Sequence, residues 1–156
     1  MLKSISRRSL LTTSAGFALV STVRPIWAAL PPLAKKDTYK VGFAQTESNN
    51  PWRLAQTESM QNEAKKLGYQ LVYTDAAGSA AKQVADVNSM VAQGVDLIFL
   101  PPREETQLLP AIMNAKSAGI PVILVDRDVD HPLAKPGEDY VTFTGFMSGK
   151  PLLQAF

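Results

Sequence analysis

Between Tyr39 and Gly145 the sequence switches repeatedly between two hydrophobic periods, and this alternation limits the possible folds more than any other feature. Short apolar or alternating segments, typical of strands, are followed by longer segments with helical spacing. Strand and helix in alternation at this spacing are typical of βαβ units with right-handed crossovers. The sequence therefore predicts an α/β fold of three layers, a parallel sheet with helices on both faces. The predicted strands end at Gln45, Asp75, Pro101, Asp126 and Gly145.

Start and stop signals give the bounds of the predicted helices. A polar cap precedes the first two helices, and a glycine follows each of them. The first helix also has proline at its first position, where the missing N–H costs nothing. These signals predict helices from Asn50 to Gly68, from Ser79 to Gly94, and from Thr106 to Ala118.

The first 29 residues differ in charge from the rest of the chain. They contain Lys3, Arg7, Arg8 and Arg24 and no acidic residue. Of the 16 basic and 14 acidic residues in the whole chain, 12 basic and 14 acidic residues remain without this leader. The net charge of the remainder is then −2, so the basic character of the whole chain gives no support for a nucleic acid or an anionic membrane partner.

The leader is interpreted as an export signal over residues 1–29, followed by an entry linker over residues 30–38. Its basic start, its apolar residues 10–23 and its alanines are typical of cleaved signals. A membrane anchor is the weaker alternative, because 14 helical residues rise about 21 Å against a hydrocarbon core of about 30 Å. The adjacent Arg7 and Arg8 resemble a twin-arginine signal, although ordinary secretory signals also contain such pairs. We expect no stable membrane insertion after cleavage.

The sequence offers little for catalysis or for a bound metal. Cysteine is absent, and the single histidine, His131, lies in a polar loop, so thiolate sites and histidine-based triads have little support. Neither the glycine spacing of a dinucleotide site nor a P-loop occurs. Glu104 and Glu105 with Asp128 and Asp130 could form paired carboxylates for glycoside hydrolysis, but loop acids at this density are usually solvated. We expect no catalytic residue, no metal and no cofactor.

Polar and aromatic residues are concentrated where the predicted strands end. Ligands of open parallel sheets bind beyond the carboxyl ends of the strands. Trp52 and Arg53 begin the helix after the first strand, where an indole can stack on a sugar ring and a guanidinium can donate to oxygens. A core role for Trp52 and a solvated Arg53 are the alternatives.

A carboxylate and a guanidinium are also adjacent at the end of the fourth strand. Asp126 and Arg127 there suit the neighbouring hydroxyls of a sugar. The alternative is a local pair that only organises the loop. Asp75, before a small-residue turn, is as consistent with turn formation as with ligand binding.

Five segments together resemble the sugar-binding periplasmic proteins of ABC transporters, of the ribose and galactofuranose type. They are YKVGFAQTESNNPWR, NEAKKLGYQLVYTDA, VAQGVDLIFLPPREE, AKSAGIPVILVDRDVD and DYVTFTG. The resemblance implies a periplasmic receptor of two α/β lobes that closes on one monosaccharide and docks on a membrane permease, without enzymatic activity. A LacI-like regulator or a chemoreceptor-linked sensor with the same fold is the alternative. The export leader and the absence of a helix-turn-helix before Tyr39 argue against DNA binding.

The resemblance also implies a set of ligand-binding residues. The pair of Trp and Arg after the Asn-Pro turn is similar to galactofuranose receptors, whereas ribose receptors have two aromatics there. Pro101 stands where ribose receptors place a sugar-binding Asn, which argues against plain ribose and favours a galactofuranose-like or galactose-like ligand. The implied ligand-binding residues are Gln45, Trp52, Arg53, Arg103, Glu104, Asp126 and Arg127.

The resemblance stops after the fifth strand. Receptors of this type continue into a helix, a hinge and a second lobe, whereas this chain reads FMSGKPLLQAF, and Pro151 would interrupt the helix. We therefore expect residues 39–156 to be the amino-terminal lobe without the carboxyl-terminal lobe, and sugar binding to be impaired.

Overall fold

The computed structural model describes residues 33–129 and the backbone of residues 141–143. The predicted export signal, His131, Asp130, Gly145 and Pro151 lie outside the described residues. The strands are β1 (Lys40–Gln45), β2 (Gln70–Asp75), β3 (Leu97–Leu100), β4 (Val122–Val125) and β5 (Val141–Phe143). The helices are α1 (Pro51–Leu67), α2 (Ala80–Ala92) and α3 (Leu109–Ser117).

The five strands form one sheet in the order β2-β1-β3-β4-β5, and all neighbouring pairs are parallel. The chain goes from β1 to β2 on one side and then crosses to β3 on the other side. This change of direction makes the gap between β1 and β3 a topological switch point. Because the strands are parallel, their carboxyl ends all lie at one end of the sheet, which we call the carboxyl end.

Each face of the sheet carries its own apolar core. Along β3, Leu97 and Phe99 pack with α1 on one face, while Ile98 and Leu100 pack with α2 and α3 on the other. Both faces are apolar because helices cover both, as expected for a parallel sheet. The predicted three-layer α/β architecture is therefore confirmed.

The helix starts predicted from polar caps are confirmed for α1 and α2. The Asn50 side chain accepts a hydrogen bond from the Arg53 amide at 3.0 Å, and the Ser79 hydroxyl accepts one from the Lys82 amide at 3.2 Å. Gly68 ends α1 in the left-handed conformation, with φ of 73°. A residue without a Cβ takes this conformation at little cost, which explains the stop.

The predicted start of α3 at Thr106 is wrong, because the helix begins at Leu109. A helix that began at Thr106 would need the Pro110 N–H to bond the Thr106 carbonyl, and proline has no N–H. In the observed helix Pro110 lies in the first turn, where it costs nothing. The preceding residues form turns, and Leu108 supplies no side-chain cap.

Helix α2 packs directly against β1 at Gly42. A Cβ at this position would lie 2.7 Å from the Met90 sulfur, so a larger residue would require the Met90 side chain to shift. This contact lies in the last turn of α2, whereas the first turn of the helix reaches the end of β1 through the hydrogen bond from Gln83 to the Ala44 carbonyl. Over residues 33–129 and 141–143, no helix has the length and apolar character needed to cross a membrane.

Candidate ligand-binding site

The loops at the carboxyl end of the sheet carry the residues predicted to bind a ligand. Strands β3 and β4 end at Leu100 and Val125, one residue earlier than predicted, and β5 ends at Phe143. Asp126 is therefore not the last residue of a strand, as predicted, but the first residue of the loop after β4.

Arg53 and Asp126 form an ion pair that joins α1 to the loop after β4. Arg53 Nη2 lies 2.8 Å from Asp126 Oδ2, and Arg53 Nη1 donates to Gln56 Oε1 at 3.1 Å. The side chain of Arg53 is 3% exposed and that of Asp126 is 31% exposed. The solvated alternative for Arg53 is excluded by this burial. The Asp126 side chain, in contrast, remains partly accessible to solvent.

The backbone of Asp126 is in the left-handed conformation, with φ of 71°. Few residues other than glycine adopt it, although Asp and Asn are enriched there. Such conformations persist where the surroundings hold them in place. Here the turn directs the carboxylate toward Arg53, and Arg127 points elsewhere, with Nη1 at 3.5 Å from the Arg103 carbonyl oxygen.

Gln45 lies beneath this ion pair and is completely buried. Its Nε2 donates to Gln56 Oε1 at 3.1 Å and to Thr57 Oγ1 at 3.0 Å, with a longer contact of 3.4 Å to the Arg53 carbonyl. Its Oε1 accepts from the Thr46 amide at 2.9 Å. The side chain thus fastens the first turns of α1 to the end of β1 and supports Arg53 from below.

Arg103 connects the loops after β1 and β3. Its Nη1 lies 3.0 Å from Glu47 Oε2, and its Nε lies 3.9 Å from Glu104 Oε1. Arg103, Glu104 and Arg127 line an open depression of about 610 Å³. The side chain of Glu104 is 54% exposed, so it lies at the rim.

Trp52 directly precedes Arg53 in the first turn of α1 and is partly exposed. It therefore does not belong to either buried core cluster. The predicted core alternative for Trp52 is excluded. The ring lies on the same turn as the buried arginine.

Asp75 forms the turn that was the alternative to ligand binding. Its Oδ1 accepts a hydrogen bond from the Ala77 amide at 2.7 Å, and Ala77 has φ of 52°. The acids considered for hydrolysis, Glu104 and Glu105, are exposed loop residues. Among the described residues, no group of three or more metal-binding side chains is arranged to hold an ion.

Six of the seven predicted site residues form two neighbouring groups, and Trp52 lies next to Arg53 in the first turn of α1. Gln45, Arg53 and Asp126 form a buried network, and Arg103, Glu104 and Arg127 surround the depression beside it. Four further residues that support these groups were not predicted from the sequence. Gln56 shares a helix face with Arg53 at a spacing of three, which is the one signal that indicated it. The missed residues are Glu47, Gln56, Thr57 and Gln83.

Residues 41–156 match the family profile of the periplasmic binding protein domain. The chain belongs to this family. Similarity extends to the galactofuranose-binding protein of Escherichia coli, at 40% identity over 108 residues, which are 69% of this chain and 34% of that protein. The relatives are binding proteins, not enzymes.

Solved structures of the family are also similar. The crystal structure of a galactofuranose binding protein matches with a TM-score of 0.63 and 40% identity, over 68% of this chain and 35% of that one. The binding protein of the arabinose ABC transporter from Shewanella, bound to L-arabinofuranose, matches with a TM-score of 0.56 and 41% identity, over 60% and 30%. The chain spans about a third of the length of the curated relatives that it matches.

Proposed function

We propose that this chain is the amino-terminal lobe of the substrate-binding component of a sugar ABC importer, and that it binds a monosaccharide at the carboxyl end of its sheet. The observation that carries the proposal is the ion pair between Arg53 and Asp126. A buried guanidinium from the helix after β1 holds a carboxylate that is 31% exposed, at the end of the sheet where ligands of such folds bind.

This pair suits neutral, hydroxyl-rich ligands. Carboxylate oxygens accept hydrogen bonds from neighbouring hydroxyls, and charge-assisted bonds of this kind are stronger than neutral ones. The partly exposed Trp52 provides an apolar surface for the C–H face of a ring. Arg103 supplies donors from the side of the depression. Gln45 acts as a positioning residue, since its amide is buried and engaged.

We infer a preference for sugars in the furanose form. The relative named for galactofuranose matches at 40% identity and the structure with arabinofuranose at 41%, whereas relatives named for ribose match at 28% to 34%. Pro101 offers no side-chain hydrogen bond beside the site, which agrees with the sequence-based argument against ribose. The same family membership supports a periplasmic location and a membrane permease as partner.

One lobe alone should bind weakly. Each hydrogen bond exchanged with water contributes about 0.5–1.5 kcal/mol, and a single lobe leaves half of the sugar in solvent. We expect dissociation constants in the millimolar range or weaker, equivalent to about −4 kcal/mol.

Nuclear magnetic resonance titration of the ¹⁵N-labelled chain tests the proposal. Methyl galactofuranoside, L-arabinose and D-ribose are added at millimolar concentrations. The indole signal of Trp52 and the guanidinium signal of Arg53 should shift, most strongly with the galactofuranoside. Asp126→Asn should abolish these shifts, because Asn tolerates the left-handed backbone but removes the charge.

Asp75→Asn is the matched control, because it makes the same chemical change at the end of another strand. It should leave the titration unchanged. Absence of any shift in Trp52 and Arg53 with all three sugars would contradict the proposed function. Submicromolar affinity would contradict the expectation that a single lobe binds weakly.

A further inference from the structure

Gln83 occupies the switch point between β1 and β3. It lies in the first turns of α2 and is completely buried. Its Nε2 donates to the Ala44 carbonyl at 2.9 Å and to the Pro101 carbonyl at 2.8 Å, and its Oε1 accepts from the Arg103 amide at 2.8 Å. A primary amide has two donor hydrogens and one acceptor oxygen, so both hydrogens and the oxygen are engaged.

Pro101 explains why a side chain is needed there. The register of β1 and β3 pairs Val41 with Leu97 and Phe43 with Phe99. The Ile98 amide donates to β4, at the Pro121 carbonyl, so the odd-numbered residues of β3 point their amides toward β1. If this pattern of hydrogen bonds continued past Phe99, the next amide facing β1 would be that of residue 101, and it would donate to the Ala44 carbonyl.

Proline cannot make that bond, because it has no N–H. A buried carbonyl without a donor is costly, so the end of the ladder needs another donor. The Gln83 amide supplies it and also bonds the carbonyl of Pro101 itself. The same side chain then fixes the amide of Arg103, two residues further along.

We propose that Gln83 is a positioning residue for the ligand-binding site. It replaces the backbone bond that Pro101 omits and thereby holds the loop 101–103, so that Arg103 faces the depression. The guanidinium of Arg103 is fixed at its other end by Glu47, at 3.0 Å. That Gln83 positions Arg103 follows from the hydrogen bonds alone. Whether this positioning matters for sugar recognition rests on the proposed function of Arg103.

Hydrogen exchange of the ¹⁵N-labelled full chain tests this role. In the wild type, the Arg103 amide should exchange slowly although its loop is at the surface. Gln83→Met keeps the length of the side chain but removes its hydrogen bonds. We expect Arg103 to exchange about tenfold faster in this variant, as for the loss of one hydrogen bond, and its Nε signal to shift. Gln93→Met, at the exposed end of α2, is the control and should change neither.

A second substitution separates positioning from stability. Pro101→Ala restores an N–H that can donate to the Ala44 carbonyl. In the Gln83→Met background it should recover part of the lost resistance to urea, but not the slow exchange of Arg103, whose acceptor is still missing. The proposal would be overturned if Pro101→Ala restored both the resistance to urea and the slow exchange of the Arg103 amide. It would also be overturned if Gln83→Met left the exchange rate of the Arg103 amide unchanged. If Gln83→Met does not fold, fast exchange of the Arg103 amide in the wild type overturns it, and slow exchange supports it.

The outcome is distinguishable from a failure of the proposed function. A protected Arg103 amide in a chain that responds to no sugar would support the role of Gln83 and reject sugar binding. Sugar-induced shifts in a chain whose Arg103 amide exchanges rapidly would support sugar binding and reject the role of Gln83.

Discussion

The two ends of the sheet use charged residues in opposite ways. At the amino end, Asp96 begins the approach to β3 and binds the Lys36 ammonium and the Lys40 amide, the latter at 2.9 Å. The Lys36 side chain is 48% exposed there. At the carboxyl end, the guanidinium of Arg53 is buried under a carboxylate.

At the amino end the charges attach a chain segment to the sheet, whereas at the carboxyl end they belong to the site that we propose binds the ligand. The exposed pair at the amino end ties the segment before β1 to the sheet, and water weakens its charges. The buried pair at the carboxyl end gains little net stability, because both groups lose hydration. Its geometry is instead held by Gln45 from below and by the strained backbone of Asp126. Such a cost is typical of functional sites.

The largest effect should come from breaking the buried pair. Asp126→Ala leaves the Arg53 charge buried without its partner and places alanine at positive φ. We expect the free energy of unfolding to fall by about 2–4 kcal/mol, measured by urea denaturation. Asp126→Gly removes the same carboxylate but relieves the backbone, so it should cost about 1 kcal/mol less. Equal stability of the two variants would contradict the role assigned to backbone strain.

An intermediate effect is expected at the support beneath the pair. Gln45→Ala removes the donor to the Thr57 hydroxyl and the acceptor of the buried Thr46 amide, while Gln56 Oε1 keeps its bond from Arg53. It should lower the free energy of unfolding by about 1–3 kcal/mol. Gln93→Ala, an exposed glutamine, is the control and should cost less than about 0.5 kcal/mol. Both variants are measured by the same urea titration. Similar losses of unfolding free energy in the two would contradict the supporting role assigned to Gln45.

The smallest effect is expected at the amino end, and it depends on pH. Burial alone would raise the pKa of Asp96, but hydrogen bonds from Lys36 and the Lys40 amide, with the charges of both lysines, hold it below its usual value. Asp96→Asn should cost about 0.5–1 kcal/mol at neutral pH.

The sign of the pH dependence follows from that lowered pKa. Between the folded and unfolded pKa values the unfolded state binds more protons, so the contribution of Asp96 is complete above an unfolded pKa of about 3.9 and is lost as the pH falls through the folded value. The difference between wild type and Asp96→Asn should therefore shrink below about pH 4 in urea titrations. A difference that grows on acidification would contradict this assignment.

Much of the fold could be predicted from the sequence, because its signals are local. Asn50 and Ser79 cap their helices through their own side chains, and Gly68 stops α1 through its own backbone. The start of α3 was predicted wrongly, because the apolar spacing extends back toward Thr106 while the missing N–H of Pro110 prevents the first helical bond there.

The candidate site could be predicted only in part. The parallel arrangement was enough to bring Arg53, Arg103 and Asp126 to one end of the sheet. Their pairing was not predictable, because it depends on the rotation of α1 and on the left-handed turn at Asp126. The sequence suggested Asp126 with Arg127, whereas the structure joins Asp126 to Arg53 from another element. The role of Gln83 depends on the register between β1 and β3, which cannot be predicted from the residues near Gln83 in the sequence.

The matched ion pairs at the carboxyl end also have a kinetic consequence. Arg53 is neutralised by Asp126 and Arg103 by Glu47, so the two guanidinium groups present little net field to the solvent. A charged solute would therefore gain little from them of the electrostatic steering that speeds the capture of ions. The rate at which such a solute reaches these two groups should then change little between dilute and concentrated salt.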